Sequence, residues 1–198
     1  MSPVGRGIAV FAAALALILG GVGLGYLWLG GESLENNLSA SIGGPFALTD
    51  QNGVLRHDTD FRGKLMLVYF GYSYCPDACP TALNTVTGAL EELGPQAQQV
   101  QPLFITIDPA RDTVAQMKLY ASNFDPRLLA LTGTPDAIAA AARAYRVYYQ
   151  RIDGTNPNDY TMDHSSLVFL MGRDGRYLSY FGADANADAM AAMIKKYL

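Results

Sequence analysis

The chain's only two thiols stand four residues apart, in Gly71-Tyr72-Ser73-Tyr74-Cys75-Pro76-Asp77-Ala78-Cys79-Pro80. Cysteines this close cannot staple distant parts of a fold, and a bridge closing so short a loop would add little stability. Their use is therefore chemical. Pro76 and Pro80 each suit a first helical position, and Pro80 would clash with a regular helix already begun at Cys75. The turn between the cysteines is expected to be irregular, with the regular helix beginning near Pro80. Both sulfurs then lie at or before a helix N-terminus, where the thiolate, the form that attacks disulfides and binds metals, is favoured. The spacing is C-x-x-x-C rather than C-x-x-C, and the additional residue opens the sulfur–sulfur geometry. Two thiolates on one short segment can chelate a soft metal from one side: Cu(I), zinc or an iron–sulfur cluster.

Such a site needs a third ligand, and the chain has two histidines. His57 lies in Arg56-His57-Asp58-Thr59, an early polar, hairpin-like segment, and reads as a surface residue. His164 lies in Met162-Asp163-His164-Ser165-Ser166, just ahead of a strand. At this level a hydrogen-bonded loop histidine and a structural or redox-only role for Cys75 and Cys79 stand beside the metal reading.

The elements that must hold these residues alternate. Lys64–Tyr72 and Val100–Asp108 are apolar, β-branched and aromatic runs of buried-strand type, with Arg127–Thr132 a weaker third. Ser165–Met171 and Tyr177–Phe181 are two more, joined by Gly172-Arg173-Asp174-Gly175 as a hairpin. Between them come helices over Thr81–Leu93 and Thr113–Asn123, the latter with Asp112 as N-cap. A third helix covers Asp136–Tyr145, opened by Thr134 and Pro135, and a last one Ala185–Leu198. Alternating strands and helices imply an α/β domain with a mostly parallel central sheet ending in an antiparallel hairpin. The cysteines follow directly on the first central strand, where α/β sheets build their sites. Arg151–Asp163 reads as a long polar loop, of the kind that carries function. Met66 and Met171, in apolar strands, read as core.

Residues 8–29 carry no charge. At about 1.5 Å per residue they span about the 30 Å hydrocarbon core of a bilayer. Arg6 precedes them and Glu32 and Glu35 follow, so the positive-inside rule puts the N-terminus in the cytoplasm and the rest of the chain outside, with Tyr26 and Trp28 at the outer interface. The competing reading is a cleaved signal peptide, but no A-x-A site ends the run. Both readings export the domain. Residues 30–44 form a polar linker with a reach of about 20 Å, and 45–198 the globular domain. The net charge is −4 and no Lys/Arg cluster stands out, which excludes a nucleic-acid partner. Half the residues are hydrophobic and 16% are charged, which excludes a disordered chain.

Several blocks in order resemble the Sco/SenC family of copper proteins, which assist cytochrome c oxidase assembly. They are Tyr69-Phe70-Gly71-Tyr72 with the cysteine motif, then Phe104-Ile105-Thr106-Ile107-Asp108-Pro109-Ala110-Arg111-Asp112-Thr113. Leu131-Thr132-Gly133-Thr134, Tyr145-Arg146-Val147-Tyr148-Tyr149 and Asp163-His164-Ser165 complete them, and the match runs from about residue 42 to the C-terminus. The resemblance implies a thioredoxin-like fold with a central mixed sheet. It implies one copper ion held by Cys75, Cys79 and His164, and one N-terminal anchoring helix. Where thioredoxins place a cis-proline, this chain offers His164.

From this follow a leading and two competing expectations. The first is a copper metallochaperone rather than an enzyme, its S₂N site suited to Cu(I), and to Cu(II) where water or Asp163 adds a fourth ligand. Zinc would want a closed four-ligand site. The Arg151–Asp163 loop is expected to let His164 swing toward the sulfurs. The expected recipient, from the resemblance, is the binuclear copper centre of cytochrome c oxidase subunit II, with other periplasmic copper chaperones or thiol reductants as further partners. The location is a bacterial cytoplasmic membrane, the soluble domain facing the periplasm. The second expectation is a thiol–disulfide reductase using Cys75 and Cys79 as a redox-active pair, Cys75 being the nucleophile. The third is a thiol peroxidase activated by Arg111, if the Asp108–Thr113 loop reaches Cys75; otherwise Arg111 caps a helix or pairs within its loop. Met162 is a weak soft ligand candidate, Tyr72 and Tyr74 are expected to pack around the sulfurs, and Asp77 to tune the site's charge or help dock a partner.

Overall fold

The computed structural model describes residues 42–155 and 159–198. In chain order these form β1 (Ala47–Asp50), β2 (Leu55–His57), β3 (Leu65–Gly71), α1 (Ala78–Leu93), β4 (Val100–Thr106), α2 (Val114–Ala121) and β5 (Leu129–Thr132). There follow α3 (Pro135–Ala144), β6 (Tyr149–Asp153), β7 (Tyr160–His164), β8 (Val168–Met171), β9 (Tyr177–Phe181) and α4 (Ala187–Lys195).

Seven strands make one mixed sheet in the order β2-β1-β5-β4-β3-β8-β9. β3, β4 and β5 run parallel, while β1 and β8 flank them antiparallel. This is a thioredoxin-like fold with a central mixed sheet. Every residue of β3 is buried, as a strand covered on both faces requires. Met66 and Met171 pair across β3 and β8 and are both buried in the core. The β8–β9 joint closes with Gly175 at φ +76° and its amide bonded to the Gly172 carbonyl, a conformation glycine adopts without strain.

Three of the four helices named start where short polar side chains satisfy free amides. Thr134 Oγ1 accepts from the Ala137 amide at 3.2 Å, with Pro135 at the first position of α3. Asn186 Oδ1 does the same for α4 at 2.9 Å. For α2 the cap is Thr113, whose hydroxyl accepts from Gln116, and not Asp112 as expected. Asp112 is fully buried and has other work, described below. α1 begins at Ala78, two residues before Pro80. Proline is tolerated there because the amides of a helix's first turn have no partner to lose.

The expected Arg151–Asp163 loop is a correction. Tyr149–Asp153 and Tyr160–His164 pair antiparallel as a separate two-stranded sheet, with Tyr149 opposite His164 and Asp153 opposite Tyr160. These strands contain no apolar run, but β7 alternates. Tyr160, Met162 and His164 are half-buried, while Thr161 and Asp163 are exposed. Among the described residues no helix is long and apolar enough to cross a membrane. The apolar run 8–29 and most of the 30–44 linker lie outside the described residues.

Candidate metal centre

β3 delivers the site. Its last residue, Gly71, lies against the sulfur of Cys79. A Cβ there would stand 2.6 Å from Cys79 Sγ and 2.9 Å from the Phe104 ring, so only glycine lets the sulfur approach the strand end. From Gly71 the chain turns through a loop held by a buried carboxylate. Asp112 accepts from the Ser73 hydroxyl at 2.5 Å, from the Ser73 amide at 3.1 Å and from the Thr106 hydroxyl at 2.5 Å. Gln116 adds a bond to the Ser73 hydroxyl at 3.0 Å. Burial pushes the Asp112 carboxyl up from its ordinary range, against the pull of those donors.

Cys75 is half-buried at the end of this loop, its amide bonded to the Tyr72 carbonyl. Cys79 is fully buried in the first turn of α1, and its backbone N–H donates to Cys75 Sγ at 3.3 Å. The two cysteines are free thiols. The Tyr69 hydroxyl lies 3.8 Å from Cys79 Sγ on the core side. The Cys79 thiol, above all, together with His164 and the Cys79 and Asp77 amides, bonds the Cys75 sulfur and holds its pKa well below the ordinary thiol range. The proton shared with Cys75, and burial, push Cys79 up. The pair therefore carries one thiolate, on Cys75, at neutral pH.

His164 closes the site from the other side. Its Nε2 stands 3.6 Å from Cys79 Sγ, and its Nδ1 stands 3.1 Å from the Ser165 carbonyl. A carbonyl can only accept, so Nδ1 donates this bond, which leaves Nε2, the nitrogen facing the sulfurs, as the atom that would ligate a metal. That second bond is the usual means of fixing the tautomer and ring of a metal-ligating histidine. Tyr69 and Tyr72 meet the imidazole edge to face, both at 6.1 Å. The donor atoms of Cys75, Cys79 and His164 all lie within 4.8 Å of one another. Among the described residues they are the group of this kind that the fold assembles.

The chain belongs to the SCO1/SenC family. The family model matches residues 35–198. A mitochondrial SCO2 homolog of Bos taurus is 37% identical over 209 residues, covering 99% of this chain and 78% of its own. A SCO2-like protein of Rickettsia prowazekii is 41% identical over 155 residues, covering 78% of this chain and 76% of its own. Among solved structures, copper-bound ScoI of Bradyrhizobium japonicum superposes with a TM-score of 0.75 at 47% identity, covering 79% of this chain and 99% of that one. Copper-bound yeast Sco1 gives 0.74 at 38% identity, covering 79% and 88%.

His57 ends β2 on the surface and is not part of the SCO1/SenC site, in line with the sequence reading. His164 ends a paired strand rather than lying in the expected long loop, and residues 156–158 of that segment lie outside the described residues. Asp163 faces outward on β7, because alternate residues of a strand point to opposite faces, and it does not join the gathered donors. Tyr72 is buried and Tyr74 is 54% exposed. Arg111 is committed elsewhere. Its Nε bonds Asp108 at 2.5 Å and its Nη1 the Tyr160 carbonyl at 3.0 Å, which is the loop ion pair of the competing reading rather than a contact with Cys75. Sequence reasoning assigned no role to Gly71, Tyr69 or the Ser73–Asp112 bond. A glycine and a small polar residue between a buried strand and a cysteine were the available signals.

Proposed function

We propose that this protein binds one copper ion through Cys75, Cys79 and His164 and passes it on as a metallochaperone in cytochrome c oxidase assembly, the recipient being the binuclear copper centre of subunit II. The observation that carries the reading is the convergence of two sulfurs and one oriented imidazole within 4.8 Å. The copper-bound relatives from Bradyrhizobium japonicum and yeast support it. Thiolate and neutral imidazole are donors that suit copper and zinc alike, so the copper-bound relatives carry the choice of copper, and three donors leave a shell that an incoming ligand can enter. Binding requires both sulfurs as thiolates, so loading releases the proton that Cys79 holds. Half-exposed Cys75 is the sulfur a partner meets first, while Cys79 stays anchored in the core. The domain works on the periplasmic side of a bacterial cytoplasmic membrane, held by residues 8–29.

One observation favours a second activity at the same atoms. The thiolate on Cys75 is the nucleophile that disulfide exchange needs. Its sulfur would attack a partner disulfide and release one partner thiolate. Cys79, losing its proton, would then attack the Cys75 sulfur, leaving a Cys75–Cys79 disulfide and a partner reduced to two thiols. His164→Ala separates the two activities. Copper retention by the reduced protein, counted after desalting, is expected to fall at least about tenfold while thiol exchange persists. Oxidase assembly in cells that survives His164→Ala undiminished would sink the chaperone reading and leave the reductase.

A further inference from the structure

The three donors arrive on two separate pieces of chain. The sulfurs come with the loop leaving β3 and the first turn of α1, whereas the imidazole comes on β7. β6 and β7 pair only with each other and have no strand neighbour in the main sheet. Side chains must therefore hold β7 against the domain, and one cluster does so. The Arg111 guanidinium carbon lies 3.6 Å from the centroid of the Tyr160 ring, 4.8 Å from that of Tyr74 and 5.6 Å from that of Tyr72. Arg151 lies over the Tyr160 ring at 3.7 Å, so two cations sandwich it. The Tyr160 hydroxyl donates to Asp108 at 2.8 Å, and Arg111 bonds both that carboxylate and the Tyr160 carbonyl. Among the described residues Arg111 Nη2 is buried with no hydrogen-bond partner, and the guanidinium that carries it lies against the three tyrosine rings.

Tyr72 and Tyr74 belong to the loop that runs into Cys75. Tyr160 shares the inward face of β7 with His164, four residues on. We propose that Arg111 is a positioning residue for the metal centre: it clamps the sulfur-bearing loop to the imidazole-bearing strand and thereby sets the reach of His164 to the two sulfurs. Asp108 and Tyr160 complete the clamp. The planar guanidinium suits this task because it stacks on rings and donates sideways at once, which an ammonium cannot do. The inference rests on the copper reading for its function, but its geometry stands on this chain's own contacts.

The test uses the full chain in detergent micelles, as wild type, Arg111→Lys, Arg111→Met and Tyr160→Phe. Hydrogen–deuterium exchange is followed by mass spectrometry on the reduced, copper-free protein. In both Arg111 variants, amides of residues 149–153 and 160–164 are expected to exchange about tenfold faster or more, as suits loss of a desolvated cation–π contact, while β3 and β4 keep their protection. Tyr160→Phe keeps the ring and should show a smaller change of the same sign. After Cu(II) loading, nitrogen modulation from the imidazole in pulsed EPR is expected to weaken, and copper release to a chelator to accelerate about 10- to 100-fold, the range seen when residues behind a metal ligand are lost. Hairpin exchange equal to wild type, or exchange that rises equally over the whole sheet, would overturn the clamp. So would an unchanged imidazole signal with an unchanged release rate. A wild-type protein that retains no copper would overturn the copper reading instead, while the exchange arm would still decide the clamp.

Discussion

Cys79 is buried and Cys75 is half-exposed, so the proton the two sulfurs share stays with the member that water cannot reach. This asymmetry has a pH signature. Cys75, lowered relative to the unfolded chain, contributes stability that is present above the ordinary thiol pKa and lost as pH falls toward its folded value. Cys79, raised, contributes in the opposite sense, and its share is lost as pH rises beyond the ordinary thiol value. Between the two folded values the native pair holds one proton. The unfolded pair holds two below about pH 8.5 and none well above it. The contribution of the pair to stability is therefore expected to rise from acid to a maximum near about pH 8.5 and then to fall. Denaturant titrations of the reduced, copper-free protein across pH check this, with Cys75→Ser removing the maximum. Iodoacetamide at neutral pH should modify one thiol, Cys75, at a rate almost independent of pH over the neutral range. Two thiols reacting together with an ordinary pH profile would contradict the single-thiolate state.

At the scale of the elements, the loop between β3 and α1 is only as well placed as the carboxylate beneath it. Asp112→Ala would leave the Ser73 amide and hydroxyl and the Thr106 hydroxyl without their acceptor. A cost of about 2–4 kcal/mol in unfolding free energy is expected, with weaker copper retention, because unpartnered buried donors lose their full desolvation energy. Asp112→Asn, which keeps an acceptor oxygen, should recover part of both. A loss of copper retention with no loss of stability would show that Asp112 acts on the metal by another route. The same residue shows where reading the sequence stops. Asp before a helical run is a capping signal, and from the sequence alone nothing distinguishes it from a buried acceptor for a loop 39 residues away. The buried strands were legible because hydrophobic runs bounded by turn residues have one cheap solution. Lys64–Tyr72 contains β3 and Val100–Asp108 contains β4. The β6–β7 pair was not, because its burial comes from single residues, Tyr160, Met162 and His164, alternating with polar ones. Its anchor, Arg111, comes from a distant loop. Cys75, Cys79 and His164 were legible as a set through their residue types and the family resemblance. The groups that orient them were not, because tyrosine, glycine and aspartate have many ordinary uses.

For the whole molecule, the question is why a domain that carries its site complete would need residues 1–44. The three donors all lie within the described globular part, so capture of copper asks nothing of the N-terminal segment. Delivery does, if the recipient is a membrane protein. If residues 8–29 anchor the chain as proposed, a polar tether over residues 30–44 with a reach of about 20 Å would confine the domain to a thin shell above the bilayer and turn a search through the compartment into a local encounter. Short flexible tethers in general supply effective concentrations of about a millimolar. Replacing residues 1–29 by a cleavable export signal is therefore expected to leave copper bound per mole of protein unchanged. At native expression it should lower oxidase activity and oxidase copper content about tenfold or more, and overexpression of the released domain should restore both by mass action. Fractionation gives the parallel readout, with the intact chain remaining in carbonate-washed membranes and the released domain appearing in the soluble fraction. Equal oxidase assembly by the released domain at native abundance would show that the tether is dispensable and that the copper acceptor is met in solution.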